Sequence, residues 1–327
     1  MNLQQLRYVV EIVRNGNHLS AAADALNTSQ PGVSRQIQHL EAELGFDIFI
    51  RTRNRIIGLT DAGERLFAIA QRVTTDLSAL KSLTEEVNSG DQGTLIVGTT
   101  HTQARYVLPR IIERFIKAYP GVSLMLKQGD PTFACELVEA GEADIAIGTE
   151  TIRNFRRLVT IPFGHLTRSV VARADHPILK VKTLTLEEIA EYPIITYDRR
   201  YSGHWKAMKA FENAGLSPKI VLSATDADVC KIYVEMGLGL AILSTAAVDP
   251  QRDRGLATRD ASHLFEPSVI GVSLRTNTYL RPFILDFIQL VAPNLTKTAI
   301  RDAIAKANLE QLEDDSGHEK SRSSRER

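Results

Sequence analysis

The chain has 327 residues, enough for two or three domains, and its 39 basic and 39 acidic side chains balance to a formal net charge of zero. That balance excludes a global attraction to nucleic acid or to a membrane surface, so any DNA affinity has to come from local placement of charge. Hydrophobic content of 43% and charged content of 24% are those of a globular protein. No run approaches the ~18 apolar residues of a membrane span, and no export signal is read at MNLQQLRYVVEIVRNGN, so a cytoplasmic protein without membrane contact is expected. Cys135 and Cys230 lack a CxxC partner and are expected as free buried thiols, with no disulfide framework and no metal site. In chain order, Leu3, Leu6, Val9, Val10 and Val13 predict an amphipathic helix that ends near Asn15-Gly16-Asn17.

The stretch His18–Leu44 predicts two short helices with a tight turn between them. Ser20 is the expected cap of the first, whose AAADAL is rich in good helix formers. Asn27-Thr28 interrupts, because both residues compete for their own backbone. Ser29 caps the second helix, and Pro31 sits in its first turn, where a missing N–H costs nothing. Val33, Ile37, Leu40 and Leu44 face inward. That leaves Gln30, Ser34, Arg35 and Gln38 outside, a set of hydrogen-bonding groups suited to base edges in a major groove. Next, apolar pairs flank RTRNR and predict a two-stranded wing, with Arg51, Arg53 and Arg55 at its tip as contacts for phosphate or a narrow minor groove.

Thr60 or Asp61 caps a long helix running to about Asn88. Its Leu66, Ile69, Ala70, Val73, Leu77, Leu80, Leu83 and Val87 lie near a heptad seam, which a second copy of the same helix would cover. Beyond the linker SGDQG, strands alternate with helices, which argues two α/β halves on parallel sheets with a cleft at their junction. The expected division is 1–60 for DNA binding, 61–90 for the linker helix and hinge, and 91–300 for an α/β domain. A tail, 301–327, almost without apolar residues after Leu312, is expected to be disordered.

Within the α/β part, TTHTQARY follows a strand and opens a helix. Thr100, Thr102 and Gln103 therefore lie where free backbone N–H groups and the helix dipole favour an anion. Thr149 follows the ADIAIG strand on its carboxyl-end side, and Ser202 follows a strand and precedes a helix, so both are placed at the cleft. Thr225 precedes another helix as a further cap or lining residue. No catalytic set is present: there is no GxSxG, HExxH or Walker loop, and the cleft offers only neutral donors.

The run SAAADALNTSQPGVSRQIQHLEAELGFDIFIR, followed by LTDAGE, resembles the LysR-type transcriptional regulators, and the resemblance continues through nearly the whole chain except the tail. GTTHTQARYVLP, LSATDADV, AAVDP and TYLRPFILDFIQLVAPNLT resemble the CysB-like branch of that family. The resemblance implies a winged helix-turn-helix with a long linker helix, then a two-lobed α/β effector domain of the periplasmic-binding-protein type II fold. It implies a homotetrameric activator of sulfur-assimilation genes that binds double-stranded promoter DNA, with RNA polymerase as a further candidate partner. Acetylserine, sulfate, thiosulfate or adenosine phosphosulfate would be the effector, with no cofactor. It supports Thr149 as a ligand residue and implies a threonine where this chain has Ser202. The alternatives are a regulator of this family answering to an aromatic or carboxylate effector, a solute-binding protein, which would need export, and a small-molecule enzyme, which would need a reactive group in the cleft.

Overall fold

The computed structural model describes residues 1–53, 55–89, 92–276 and 278–309, with the backbone alone at 75, 78, 79 and 81–89. The chain divides into two compact units, Met1–Asn88 and the remainder from Ser89.

The first unit has helices α1 (Leu3–Arg14), α2 (Leu19–Ala25) and α3 (Gln30–Leu44) around a core of Val9, Ile12, Ala22, Val33, Ile37 and Leu40, all fully buried. A capping box starts α1, in which Asn2 accepts from the Gln5 N–H and the Gln5 side chain accepts from the Asn2 N–H, both at 2.9 Å. Gly45 ends α3 in the left-handed region at φ 77°, where a side chain would be strained. Strands β1 (Phe49–Thr52) and β2 (Arg55–Leu59) pair antiparallel as the wing.

Helix α4 (Asp61–Ser89) starts on Thr60, whose hydroxyl accepts from the Gly63 N–H at 2.9 Å. Gly63 is required there, because a Cβ would sit 2.0 Å from the Ile48 carbonyl oxygen. Leu66, Phe67, Ala70 and Val73 pack against the first unit's own core, whereas Ile69 and Leu80 of the expected seam are 48% and 60% exposed. The seam positions Leu83 and Val87 lie outside the described side chains.

The second unit holds two five-stranded sheets. The first has the order β4 (Val122–Gln128), β3 (Gly93–Thr99), β5 (Ile145–Thr149), β12 (Ser268–Arg275), β6 (Leu158–Leu166). The second has the order β11 (Leu256–Asp260), β7 (Arg168–Arg173), β10 (Leu240–Ser244), β8 (Ile194–Tyr197), β9 (Ile220–Ala224). The chain leaves the first sheet at Thr167 and returns between β11 and β12, so these two crossings join the lobes.

The expectation of parallel sheets is corrected: both are mixed. β12 runs antiparallel to β5 and β6, and β7 runs antiparallel to β10 and β11. The unforeseen strands β6 and β11 are sheet edges. Pro162 and Gly164 break the strand pattern of β6, and an edge tolerates them because one side of its backbone needs no partner.

The expected disordered tail is also corrected in its first part. Residues 297–309 form a helix whose Ile300 and Ile304 are buried in the core beneath the first sheet, beside Phe283 and Phe287. Lys297 pairs with Asp286 to hold its start. The rest of the tail, 310–327, lies outside the described residues. Among the described residues no helix is long and apolar enough to cross a membrane.

Candidate functional site

Two polar surfaces carry the sequence-predicted residues, one in each unit. In the first, Ser29 caps α3 by accepting from the Gly32 N–H at 3.3 Å, and Pro31 occupies the first turn. With Val33, Ile37 and Leu40 inside, Gln30, Arg35 and Gln38 are exposed and Ser34 is half-buried on the opposite side. Asn27, at φ 50°, makes the turn that delivers the helix. Ser20 is not the cap of α2. That position is His18, which makes no side-chain cap bond, while the Ser20 hydroxyl donates to Gln30 Oε1 at 3.3 Å.

The three wing arginines divide. Arg53 and Arg55 are exposed, but Arg51 Nη2 is 2.8 Å from Glu41 Oε2. Glu41 is buried, and its other oxygen accepts from the Ile48 and Phe49 N–H groups at 2.9 and 3.2 Å. Arg51 is therefore the counter-ion of a carboxylate that ties α3 to the wing. Glu41 falls four residues after Ile37, on the inward phase of the helix, and that phase is the sequence signal that marks it.

In the second unit a cavity opens between the lobes. From the first lobe it is lined by Thr100, Thr102, Gln103 and Thr149, and Ser202 faces them from the start of α8 (Ser202–Asn213). Thr225 is exposed and absent from the lining. The cap of α9 (Ala227–Glu235) is its neighbour Asp226, which accepts from the Val229 N–H at 2.8 Å. The TTHTQARY segment opens a helix as expected, but with a wide π turn over Gln103–Val107 before α5 (Leu108–Ala118), a distortion often found at functional sites. Gln103 Oε1 and Ser244 Oγ are buried there without a partner among the described residues, which leaves hydrogen-bonding capacity at the cavity wall.

Sequence reasoning missed Arg168, Tyr197, Tyr201, Ser244 and Ser268, which also line it. Burial raises the Tyr197 hydroxyl far above its ordinary range and pushes Tyr201 up to about 12, so both remain protonated donors near neutrality. Arg168 corrects the expectation of neutral donors alone. Its side chain is buried, and it donates to the carbonyls of Gly203, Glu266 and Ser202 and to Ser268 Oγ at 2.6 Å. Burial lowers its pKa, though a guanidinium stays charged. Among the described residues the lining contains no carboxylate. Backbone N–H groups, hydroxyls, an amide and one guanidinium form a surface suited to an acceptor-rich anion.

Polar contacts link the lobes around this cavity. Asp228 of α9 meets His101, Arg105 and Tyr106 of the first lobe and Lys231 of its own helix. Burial raises the Asp228 pKa, but the hydrogen bonds from Tyr106, His101 and Lys231 outweigh it and hold the carboxyl below its ordinary range. On the other side Lys206 Nζ donates to Glu150, Glu266 and the Pro267 carbonyl at 2.6 to 2.9 Å. Among the described residues only His101, Asp226 and Asp228 gather like metal ligands, within 4.8 Å; the cations already on Asp228 and the capping role of Asp226 argue against a metal there.

Residues 3–64 match the model of the bacterial regulatory helix-turn-helix protein, lysR family, and residues 88–296 match that of the LysR substrate binding domain. The chain belongs to the LysR family of transcriptional regulators. It is 44% identical over 307 residues to the HTH-type transcriptional regulator SsuR of Burkholderia cenocepacia, covering 94% of this chain and 100% of the relative. To the regulator CysB of the same organism it is 44% identical over 313 residues, covering 96% and 100%. The crystal structure of the cofactor-binding domain of the Cbl transcriptional regulator is similar, with a TM-score of 0.63 and 37% identity over 65% of this chain and 93% of that one. This LysR-family chain is thus a DNA-binding regulator rather than an enzyme, of a family that binds promoter DNA and oligomerises.

Proposed function

We propose that this regulator activates genes of sulfur assimilation, for cysteine synthesis or the use of sulfonates and sulfate esters, in response to a small sulfur-pathway effector bound between the lobes. The observation that carries the reading is the cavity lining: Thr100, Thr102, Gln103, Thr149 and Ser202, with Arg168 behind them and no carboxylate. Such a lining suits sulfate, thiosulfate, or the acidic end of acetylserine or adenosine phosphosulfate. Likeness to SsuR and CysB supports the same reading. On DNA, Arg35, Gln30, Ser34 and Gln38 read base edges, the turn at Ser29 and Pro31 seats the helix, and Arg53 and Arg55 hold phosphate or the minor groove. The exposed Ile69 and Leu80 of α4 are the surface on which two copies pair, and dimers assemble into a homotetramer in the cytoplasm, where RNA polymerase is the partner of activation. Effector binding changes the preferred arrangement of the DNA-binding units by favouring one of two states.

The test is a thermal-shift screen of the full chain against sulfate, thiosulfate, acetylserine, adenosine phosphosulfate and aromatic acids. A ligand at about 100 times its Kd adds about 2.7 kcal/mol. A shift with a sulfur compound, lost in Thr102→Ala while promoter affinity is kept, is the expected result. A shift with aromatic acids alone moves the assignment to the alternative effector class.

A further inference from the structure

The helical turn at the cavity wall has two faces. Pro109 cannot donate to the Arg105 carbonyl, and its ring crowds that carbonyl. The helix that starts at His101 therefore widens over Gln103–Val107, and the Leu108 N–H reaches back to the Gln103 carbonyl. Residues three apart share a face in an α-helix. The wide turn splays them: Gln103 lines the cavity and is 1% exposed, whereas Tyr106 reaches into the second lobe. Three side chains of this segment converge there on one carboxylate. His101 Nε2 lies 3.2 Å from Asp228 Oδ2, Arg105 Nε pairs with the same oxygen, and the Tyr106 hydroxyl donates to Asp228 Oδ1. Buried Lys231 backs the arrangement: its Nζ donates to Tyr106 Oη at 2.7 Å, to Asp253 Oδ2 at 2.8 Å and to the Ala247 carbonyl at 3.1 Å. Gln103 Oε1, by contrast, is buried without a partner among the described residues. That oxygen does nothing to fix the amide, whose place depends on the backbone that carries it.

We infer that Asp228 is a positioning residue for the effector cavity: it holds the wide turn from the opposite lobe and so sets where Gln103 stands. The inference rests on the reading of the cavity as an oxyanion site and adds the group in the second lobe on which the first lobe's wall depends. Charge alone argues the other way. A carboxylate near the cavity repels an anion, and its loss leaves Arg105 and Lys231 with less of their charge neutralised, so on charge grounds removal of Asp228 tightens anion binding. Positioning predicts weaker binding, because the turn loses its anchor and Gln103 its place. The two roles differ in sign.

The experiment is calorimetric titration with sulfate of the full native chain and of Asp228→Ala, Asp228→Asn and Tyr106→Phe. Asp228→Ala is expected to weaken sulfate about tenfold, the loss of one hydrogen bond at a charged ligand. Asp228→Asn removes the charge but keeps an acceptor for Tyr106, and should recover most of that loss. Tyr106→Phe changes no charge and does not depend on how Asp228→Ala folds; it should weaken sulfate about threefold. Amide hydrogen exchange in the absence of sulfate gives a second reading, in which the N–H groups from Gln103 to Leu108 exchange faster in Asp228→Ala than in the native chain. A native chain that binds sulfate, with affinity unchanged or raised in both Asp228→Ala and Tyr106→Phe, overturns the positioning role while the oxyanion site stands. Unchanged exchange of the turn in Asp228→Ala does the same. A native chain that binds no sulfate overturns the oxyanion reading and the inference with it.

Discussion

The recognition helix and the interlobe cavity are both polar surfaces built on apolar supports, yet they are assembled in opposite ways. One is the outer face of a single helix, Gln30–Leu44, held from beneath by Val33, Ile37 and Leu40. The other gathers residues from Thr100 to Ser268, in both lobes and at both crossings between them. The first depends on a local period and a cap; the second depends on topology. A change that damages the cavity should therefore act through long-range pairing, and one that damages the helix face should act locally.

The largest effect is expected from the ion cluster behind the cavity. Lys206 is almost fully buried, and its three donors join Glu150, after β5, to Glu266 and Pro267, before β12. Glu150 also accepts from the Val269 N–H at 2.7 Å, and its second oxygen is buried without a partner among the described residues. Lys206→Met leaves that carboxylate without its cation, a loss of about 3 kcal/mol. For a domain of this size that is roughly 10 °C in Tm. Calorimetry should show the loss in the transition of the second unit, with the first unit unaffected. An unchanged melting profile would mean that the crossings are held by packing alone.

The corresponding break in the first unit is smaller and local. Glu41→Ala leaves the Ile48 and Phe49 N–H groups without their acceptor and frees Arg51, at a cost of about 2 kcal/mol. It should weaken DNA binding by loosening the wing while effector binding is preserved. Glu41→Gln retains an acceptor and should recover part of the stability; if it instead matches Glu41→Ala, the charge on Arg51 is the dominant contact.

On the DNA face, Arg35→Ala and Arg53→Ala separate reading from holding. Arg35→Ala should cost about 1–3 kcal/mol at the cognate site and relax preference at one base position. Arg53→Ala should weaken all sequences alike and reduce the slope of log affinity against log salt by about one. Titrations of cognate and scrambled duplexes at two salt concentrations check both, and equal specificity ratios in Arg35→Ala and the native chain would remove Arg35 from base readout.

What was legible in the sequence follows the same division. Ser29, Pro31 and the inward spacing of α3 specify a helix whose outer face needs no further information. Thr100, Thr102, Gln103, Thr149 and Ser202 were legible because each lies at a strand-to-helix junction, where α/β folds place ligands. Arg168 and Ser268 were not, because they lie at the two crossings, and no local pattern reveals which residues those crossings bring together. The edge strands β6 and β11 were hidden for a related reason: half-paired backbones tolerate Pro162, Gly164 and a polar run, so the alternating signal is weak. In the helix over 297–309 the apolar positions Ile300 and Ile304 were outweighed by the polar chain beyond them, although they are buried in the core.

The smallest predicted effect concerns protons, and it arises from the same burial that builds the cavity. His204 lies in the first turn of α8, two residues from Ser202, and its Nδ1 is buried without a partner among the described residues. Burial lowers its pKa from the ordinary 6.5, against the raising influence of the Tyr197 backbone and Asp198, so the folded chain keeps this imidazole neutral where the unfolded chain takes up a proton. The unfolded state then binds more protons in the window below 6.5 and above the folded value. Stability therefore falls as pH drops through that window and becomes independent of this residue again below it. His204→Gln should flatten the decline of Tm between about pH 7 and pH 5, leaving the share due to His176, which burial also lowers. A decline of the same steepness in His204→Gln would place the acid sensitivity of that window in other groups, His176 among them; the interlobe carboxylate Asp228, whose depressed pKa contributes stability that is lost only as pH falls below about 4, acts outside it.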